Sequence, residues 1–233
     1  MVLISGAVQC PSELSAQDVK TLSQVWQTID AQSCPYQYNF HMHTRCSDGQ
    51  LTPEALIEQA TMIGLQGMAI TDHHSVRGYE RAAKWLTQHR SDLDIIPHLW
   101  TGVEITSTLE DVAVHILGYG FDPNHAAIAP YLNSKSPHGR AARAKVVVRA
   151  IQQAGGLAVL AHPARYRKSY LELIPAAAAA GIDGIETYYA YRKEKPWQPT
   201  PQTTPGVKAL VDQVGLLHTC GTDTHGLNLR LRV

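Results

Sequence analysis

Histidines and carboxylates recur in this sequence in short, closely spaced groups. The chain of 233 residues contains 12 histidines, and a first group, HMH, stands at residues 41–43. Because side chains alternate along an extended segment, the two imidazoles of this group point to the same side and can reach one ion. TDHH at residues 71–74 and TDTH at residues 222–225 again combine a carboxylate with imidazoles. Imidazole nitrogens together with carboxylate oxygens bind divalent metal ions, so metal chemistry is what this spacing indicates.

Short apolar segments precede these groups and alternate with helical patterns. We predict a helix that begins at Thr52-Pro53 and ends at Gly64, and strands near residues 38–41, 67–71, 99–105, 112–119, 156–161, 182–188 and 216–220. Strands that alternate with helices predict a parallel α/β sheet, either doubly wound or closed as a short β/α barrel. Six of these seven strands carry a histidine or carboxylate at or near the carboxyl end, where ligands gather in both architectures. A lone histidine is usually a core or cap residue, but such a cluster predicts a metal site.

Composition and charge exclude several other classes of function. Lysine plus arginine and aspartate plus glutamate number 20 each, so the formal charge of zero disfavours bulk coating of nucleic acid. No apolar run approaches the roughly 20 residues that cross a bilayer, and the opening segment lacks the basic start of a signal peptide. The four cysteines form no C-x-x-C pair. We expect a cytoplasmic protein without a membrane partner, with a helical arm over residues 1–36 and one domain over residues 37–233.

Six motifs in a fixed order resemble those of the polymerase and histidinol phosphatase (PHP) family of phosphoesterases: HMHTRCSDG, TDHHSVRG, GVEI, HILGYGFD, LAHP and GTDTH. The resemblance covers about residues 37–227. It implies a distorted seven-stranded β/α (TIM-like) barrel with a trinuclear metal site. The ligands that it implies are His41, His43, Asp48, His73, Glu104, His115, His162, Asp223 and His225.

The resemblance also implies how these ligands are divided among the ions. Glu104 would bridge two ions, with His41, His43 and Asp223 around one of them and His115 and His162 around the other. Asp48, His73 and His225 would hold a third ion. Mixed nitrogen and oxygen ligands without thiolate suit manganese, zinc or iron, so we expect two or three divalent ions of one of these metals.

The activity implied by the resemblance is metal-dependent hydrolysis of phosphomonoesters or phosphodiesters, with nucleotide or oligonucleotide ends favoured and a metal-bridging hydroxide as the nucleophile. Glu104 and Asp72 are the predicted catalytic residues; Asp72 would orient a ligand or a water, although a helix N-cap is an equally good interpretation. Two alternatives stay open: a small-molecule phosphatase of the histidinol-phosphate type, and a non-catalytic metal-binding PHP module. An amidohydrolase is disfavoured, since that class typically bridges its ions with a carbamylated lysine and no strand end here offers a lysine.

Basic residues near the predicted site are candidates for holding the substrate. Arg165 and Arg167 follow the LAHP motif directly, where a guanidinium can bind a non-reacting phosphate through two hydrogen bonds. A solvated loop explains them equally well. Arg143, near the start of a helix, is a weaker candidate. Tyr189 stands near the end of the sixth strand, where packing explains an aromatic residue better than stacking on a base.

Overall fold

Eight strands in two sheets are formed within residues 16–232, which the computed structural model describes. The strands are β1 (Tyr38–Asn39), β2 (Gly67–Ala69), β3 (His98–Trp100), β4 (Gly102–Leu109), β5 (Val112–Tyr119), β6 (Leu157–Leu160), β7 (Gly184–Tyr188) and β8 (Leu217–Cys220). The α-helices are α1 (Val19–Trp26), α2 (Pro53–Ile63), α3 (Arg77–His89), α4 (Ala144–Gln153), α5 (Tyr170–Ala180) and α6 (Thr204–Val214). The α/β class predicted from the sequence is confirmed. None of these helices is long and apolar enough to cross a membrane.

The two sheets differ in strand direction. β1, β2 and β3 form a parallel sheet, whereas β4–β8 form a mixed sheet in which β5 is antiparallel to both of its neighbours. The prediction of a wholly parallel sheet is therefore wrong. The reason is a tight hairpin between β4 and β5, connected by Glu110 and Asp111 with φ angles of 49° and 61°. Two successive residues with positive φ match the twist of a hairpin, but a Glu-Asp pair lacks the glycine that usually announces such a turn.

The seven-stranded closed barrel is not seen within the described residues, because the strand predicted near residues 99–105 is divided in two. Thr101 separates β3 from β4, and its backbone N–H and side-chain hydroxyl bond to the carbonyls of Ala16 and Phe121. At Gly102 the backbone approaches Ile70 so closely that a Cβ would lie 2.5 Å from its carbonyl oxygen. The chain therefore leaves one sheet at Thr101 and enters the other.

Isolated backbone pairs connect the two sheets at the ends that carry the motifs. Met42, after β1, pairs with Thr224, after β8, and His73, after β2, pairs with Glu104 in β4. These pairs bring the carboxyl ends of β1, β2 and β8 to the same place as the hairpin. The strand ends predicted to carry the metal ligands thus lie together even though the strands belong to two sheets.

The residues at the two ends of α2 confirm the helix boundaries predicted from the sequence. The side chain of Thr52 accepts a hydrogen bond from the N–H of Ala55, and proline occupies the first position of α2. Gly64 ends that helix with a φ of 81°, a conformation that a residue with a Cβ rarely adopts.

The segment predicted as a helical arm packs against the rest of the molecule where it is described. Trp26 in α1 is fully buried and meets Tyr119 edge to face, with 5.2 Å between ring centroids. The Tyr119 hydroxyl in turn donates to the carbonyl of Phe40, just after β1. Residues 1–15 lie outside the described part, and the boundary at residue 36 stays a prediction.

Candidate metal centre

A buried carboxylate, Glu104 in β4, lies at the centre of the cluster. Its Oε2 atom is 3.0 Å from Nε2 of both His41 and His43, which follow β1. Oδ1 of Asp223, after β8, is 3.4 Å from the same two nitrogens. All four side chains are at most 3% exposed. Two carboxylates and two imidazoles thus converge in a space that bulk water does not reach.

The second oxygen of Glu104 faces a different pair of histidines. Oε1 is 2.7 Å from Nδ1 of His115 and 3.4 Å from Nε2 of His162. His115 reaches this point because the β4–β5 hairpin places it opposite Thr106, diagonally across from Glu104. The Ala161 N–H donates a hydrogen bond to the His115 carbonyl. This bond places the end of β6, and with it His162, next to His115. The two oxygens of Glu104 therefore serve two separate groups of imidazoles.

The two contacts of the Glu104 Oε1 atom are not hydrogen bonds of normal geometry. Oε1 of Glu104, Nδ1 of His115 and Nε2 of His162 are buried and have no hydrogen-bond partner among the described residues. A buried polar atom without a partner is costly, unless something else satisfies it. Donor atoms that lie close together without bonding to one another fit ligands that share an ion. The donor set, imidazole and carboxylate without thiolate, suits the divalent metals expected from the sequence.

A third group lies nearer the surface. Oδ2 of Asp48 is 3.3 Å from Nε2 of His225 and 3.6 Å from Nε2 of His73. Nδ1 of His43 is 3.6 Å from the other oxygen of Asp48, so His43 faces both this group and Glu104. The four ligand atoms of this group lie within 4.8 Å of one another. All nine predicted ligands are thus brought together. His43 lies between two groups, and so does His73, whose Nδ1 atom is 3.7 Å from Oε2 of Glu104.

The charges of the buried carboxylates depend on the surrounding imidazoles. Burial alone would raise the pKa values of Glu104 and Asp223, but His41 and its neighbours lower both well below the usual range. Near the surface, hydrogen bonding to His225 lowers the pKa of Asp48. All three carboxylates are therefore ionised at neutral pH and available as ligands.

The histidines of the cluster divide into two kinds by the direction in which their pKa values are shifted. Burial lowers the pKa of His73 to about 4 and lowers that of His162, so both rings are neutral and keep a lone pair. His41 and His43 are also buried, but the carboxylates around them overcome that effect. Glu186 and Glu104 raise the pKa of His41 well above its usual value, and hydrogen bonding to Asp223 and Glu104 raises that of His43 to about 9. Without an ion, these two rings carry protons at neutral pH.

Asp72, predicted as catalytic, does not face the cluster. One of its oxygens accepts from the Thr44 N–H at 2.7 Å and from the Ser47 hydroxyl at 2.8 Å, and the other accepts from the Thr44 hydroxyl at 2.7 Å. It is not the N-cap of α3 either, which is Val76. These contacts tie Asp72 to the loop between His43 and Asp48. From these contacts we infer that Asp72 positions the loop.

The three arginines predicted to hold substrate lie in different surroundings. Nη1 of Arg165 is 2.9 Å from Oδ2 of Asp223 and 3.1 Å from the hydroxyl of Tyr189, at the edge of the cluster. Arg167 and Arg143 are exposed and form no ion pair with another described residue. The structure therefore brings Arg165 to the cluster, and leaves Arg167 and Arg143 in solvent.

Two residues near the cluster were not predicted from the sequence. Arg232 lies 3.6 Å from Oδ2 of Asp223 through Nε, with its guanidinium 4.9 Å from the ring centre of Tyr189. Glu186 in β7 is fully buried beside His41. A charged residue inside the apolar stretch GIETY is a signal that could have found Glu186. Arg232 carries no such signal, because its neighbours in sequence are ordinary loop residues.

Comparison with known families identifies the class of this fold and cluster. The family model of the PHP domain matches residues 39–197. This chain belongs to the PHP domain family.

Curated relatives match part of the chain. A protein named 5'-3' exoribonuclease Rnm from Salmonella typhimurium is 32% identical over 117 residues, which are 50% of this chain and 38% of that protein. A 3',5'-nucleoside bisphosphate phosphatase from Chromobacterium violaceum is 35% identical over 117 residues, which are 50% of this chain and 39% of that protein. The match thus spans less than two fifths of the length of these relatives.

Solved structures cover more of the chain. A protein from Bifidobacterium adolescentis described as a metal-dependent phosphoesterase superposes with a TM-score of 0.66 at 25% identity, over 82% of this chain and 89% of that one. A protein from Chromobacterium violaceum described as an amidohydrolase with bound sulfate has a TM-score of 0.68 at 22% identity, over 84% of this chain and 90% of that one. The second likeness shows a shared fold only.

Proposed function

We propose that this protein is a metal-dependent phosphoesterase that hydrolyses phosphomonoesters or phosphodiesters, with nucleotides or short oligonucleotide ends as its preferred substrates. The observation that carries the proposal is the carboxylate of Glu104, whose two oxygens face two separate groups of imidazoles. Relatives named as an exoribonuclease and as a nucleoside bisphosphate phosphatase support the choice of substrate. The cytoplasmic location expected from the sequence stays a prediction.

The nine clustered side chains would hold two or three divalent ions of manganese, zinc or iron. His41, His43, Asp223 and Oε2 of Glu104 would form one site, and His115 and His162 with Oε1 of Glu104 a second. Asp48, His73 and His225 would form a third, more exposed one. Such ions neutralise phosphoryl oxygens and lower the pKa of water. Glu104 would supply one carboxylate oxygen to each of the first two sites, together with its negative charge.

Asp223 connects the metal ligands to the residue that would hold the substrate. Its Oδ1 atom faces His41 and His43, and its Oδ2 atom accepts a hydrogen bond from Arg165. That contact keeps the guanidinium beside the cluster, where its remaining N–H groups can donate to a phosphate oxygen. Arg167 and Arg143, in solvent, would meet only a longer substrate.

A panel of substrates tests the proposal. The chain is first shown to bind Mn²⁺, Zn²⁺ or Fe²⁺ and is then assayed with a 3',5'-nucleoside bisphosphate, a 5'-phosphorylated short RNA and histidinol phosphate. We expect metal-dependent hydrolysis of one or both of the nucleotide substrates. Preference for histidinol phosphate would replace the nucleotide assignment with the small-molecule alternative. Metal binding without hydrolysis of any member would favour the non-catalytic module.

A further inference from the structure

Glu186, in β7, is a buried carboxylate that lies outside the nine predicted ligands. It is fully buried, and its Oε1 atom is 2.9 Å from Nδ1 of His41. Its Oε2 atom accepts a hydrogen bond of 2.8 Å from the backbone N–H of His162. One carboxylate thus contacts two predicted ligands that come from different strands and face different oxygens of Glu104.

The direction of these contacts separates Glu186 from the ligands themselves. The ring of His41 has its Nε2 atom toward Glu104 and its Nδ1 atom toward Glu186. A proton on Nδ1 that bonds to Glu186 leaves the lone pair of the ring on Nε2, toward the cluster. The Glu186 oxygens lie close enough to His41 and His162 to share an ion with their rings. Oε2, however, already accepts a hydrogen bond from the His162 backbone N–H, and Oε1 accepts one from His41 when Nδ1 carries the proton.

The contact with His162 acts on the backbone. His162 has a φ angle of 29° and a ψ angle of 62°, a conformation that a residue with a Cβ rarely adopts. Such a conformation persists only where its surroundings hold it. The Glu186 carboxylate binds the N–H of this residue, at the point where β6 ends and the imidazole turns toward Glu104.

We propose that Glu186 is a positioning residue for metal binding, which fixes the His41 ring with Nε2 toward the ions and holds the backbone of His162 so that its ring faces the same centre. The proposal rests on the proposed metal site and deepens it. It assigns one residue to the control of two ligands. Loss of Glu186 should therefore weaken metal binding without removing a ligand atom.

Replacement of Glu186 by glutamine tests the proposal specifically, because the two contacts of Glu186 require two acceptor oxygens. In the tautomer that the proposal assigns to His41, its Nδ1–H and the His162 backbone N–H both donate, and a carboxylate accepts both. A side-chain amide of the same size has one acceptor oxygen and an NH₂ group that would face the second donor. Glu186→Gln should therefore keep the shape of the residue and break one of its two contacts. The neighbouring Thr187 is equally buried in β7, and its hydroxyl bonds to the Ile185 carbonyl and to Nδ1 of His218, away from the nine predicted ligands. Thr187→Val therefore provides a matched control that also removes buried hydrogen bonds.

The test measures metal affinity rather than activity. Metal-free wild type, E186Q and T187V are shown to be folded by circular dichroism and are titrated with Mn²⁺ and Zn²⁺ against a chromophoric chelator. Loss of a residue that orients a ligand weakens metal affinity about 10- to 100-fold, and we expect this for E186Q and a wild-type affinity for T187V. Wild-type affinity in a folded E186Q, or equal weakening in both variants, would overturn the proposal.

A second measurement on the wild-type chain covers the case in which E186Q does not fold. Long-range ¹H–¹⁵N spectra of the histidine-labelled, Zn²⁺-loaded protein report which ring nitrogen carries the proton. We expect the His41 proton on Nδ1. A proton on Nε2 would show that the ring binds in the opposite sense and would reject the role of Glu186.

The two proposals fail in different ways. A wild-type chain that binds ions and loses affinity in E186Q, yet hydrolyses no phosphoester, would refute the activity and support the role of Glu186. Hydrolysis of a phosphoester by the wild-type chain, together with unchanged metal affinity in E186Q, would support the activity and refute the role of Glu186.

Discussion

The inner and outer parts of the candidate metal centre are built from similar ligands in different surroundings. In the inner part, Glu104 and Asp223 are at most 3% exposed and are surrounded by imidazoles. In the outer part Asp48 is 54% exposed, and its partners His73 and His225 are 25% and 30% exposed. Because water and salt screen an exposed carboxylate, the same charge binds an ion less firmly there. His115, which faces Glu104, is 31% exposed, so the contrast lies in the carboxylates rather than in the imidazoles. If the cluster holds ions as proposed, we expect those beside Glu104 and Asp223 to bind more firmly than one beside Asp48.

The largest expected effect comes from the inner carboxylate. Glu104→Gln should lower kcat by about 1,000-fold or more, the upper end of the loss for one buried electrostatic contact to the reacting groups, because Glu104 would serve two ions at once. Circular dichroism should show an intact fold. Near-normal turnover in a folded, metal-loaded E104Q would show that Glu104 does not bridge two ions and would remove the basis of the inner site.

The outer carboxylate should matter less, and its loss should be recoverable. Asp48→Asn removes the charge that faces His73 and His225. We expect activity to fall about 10- to 100-fold at limiting metal, as for other changes that weaken metal binding, and to recover as metal concentration rises. Activity measured against metal concentration checks this, with E104Q as the comparison that excess metal does not rescue. Equal recovery in both variants would erase the distinction between inner and outer parts.

Proton release should identify the inner part directly. The pKa of His43 is raised to about 9, so at pH 7 an ion that enters the inner site must displace a proton. Metal affinity should rise between pH 7 and 9 by about tenfold per unit for each proton released. Calorimetry in buffers of different ionisation enthalpy measures that number, and a value of zero at pH 7 would contradict protonated inner histidines.

The same shift makes the stability of the metal-free protein depend on pH. A folded pKa raised above the ordinary value of 6.5 contributes stability that is fully present below 6.5 and is lost as pH rises through about 9. The Tm of the chelated protein should therefore fall over this range, and the fall should be smaller once metal is bound. Thermal unfolding with and without Zn²⁺ at three pH values tests both statements.

Substitution of the arginines at the edge of the cluster should have the smallest effects on activity. Arg165→Ala removes a contact to Asp223 and a donor for the substrate, and we expect about tenfold lower kcat/KM on a substrate with two phosphates. Hydrolysis of p-nitrophenyl phosphate, which has one phosphate, should fall less. Arg167→Ala is the matched control, since this exposed residue has no ion pair among the described residues. Equal losses on both substrates in R165A would place Arg165 in the chemical step instead of substrate binding.

The sequence alone predicted which nine side chains would gather in one cluster and where most of them would lie. HMH at residues 41–43 presents two imidazoles to one side through the alternation of an extended chain, and the positions after β1, β6 and β8 are local consequences of apolar segments that end at polar ones. Thr52 and Gly64 likewise bound α2 through interactions within a few residues. Such features are predictable because the atoms that decide them are close in sequence.

Tertiary structure decided the features that depend on distant residues. Thr101 ends one sheet because carbonyls of Ala16 and Phe121 meet it there, and no pattern around residue 101 announces those partners. Asp72 bonds to the Thr44 loop instead of facing the cluster, and Glu186 contacts His41, which lies 145 positions away in the sequence. A carboxylate becomes a ligand, a loop anchor or a support for a ligand according to which donors surround it. In this protein those donors come from strands that only the folded chain brings together.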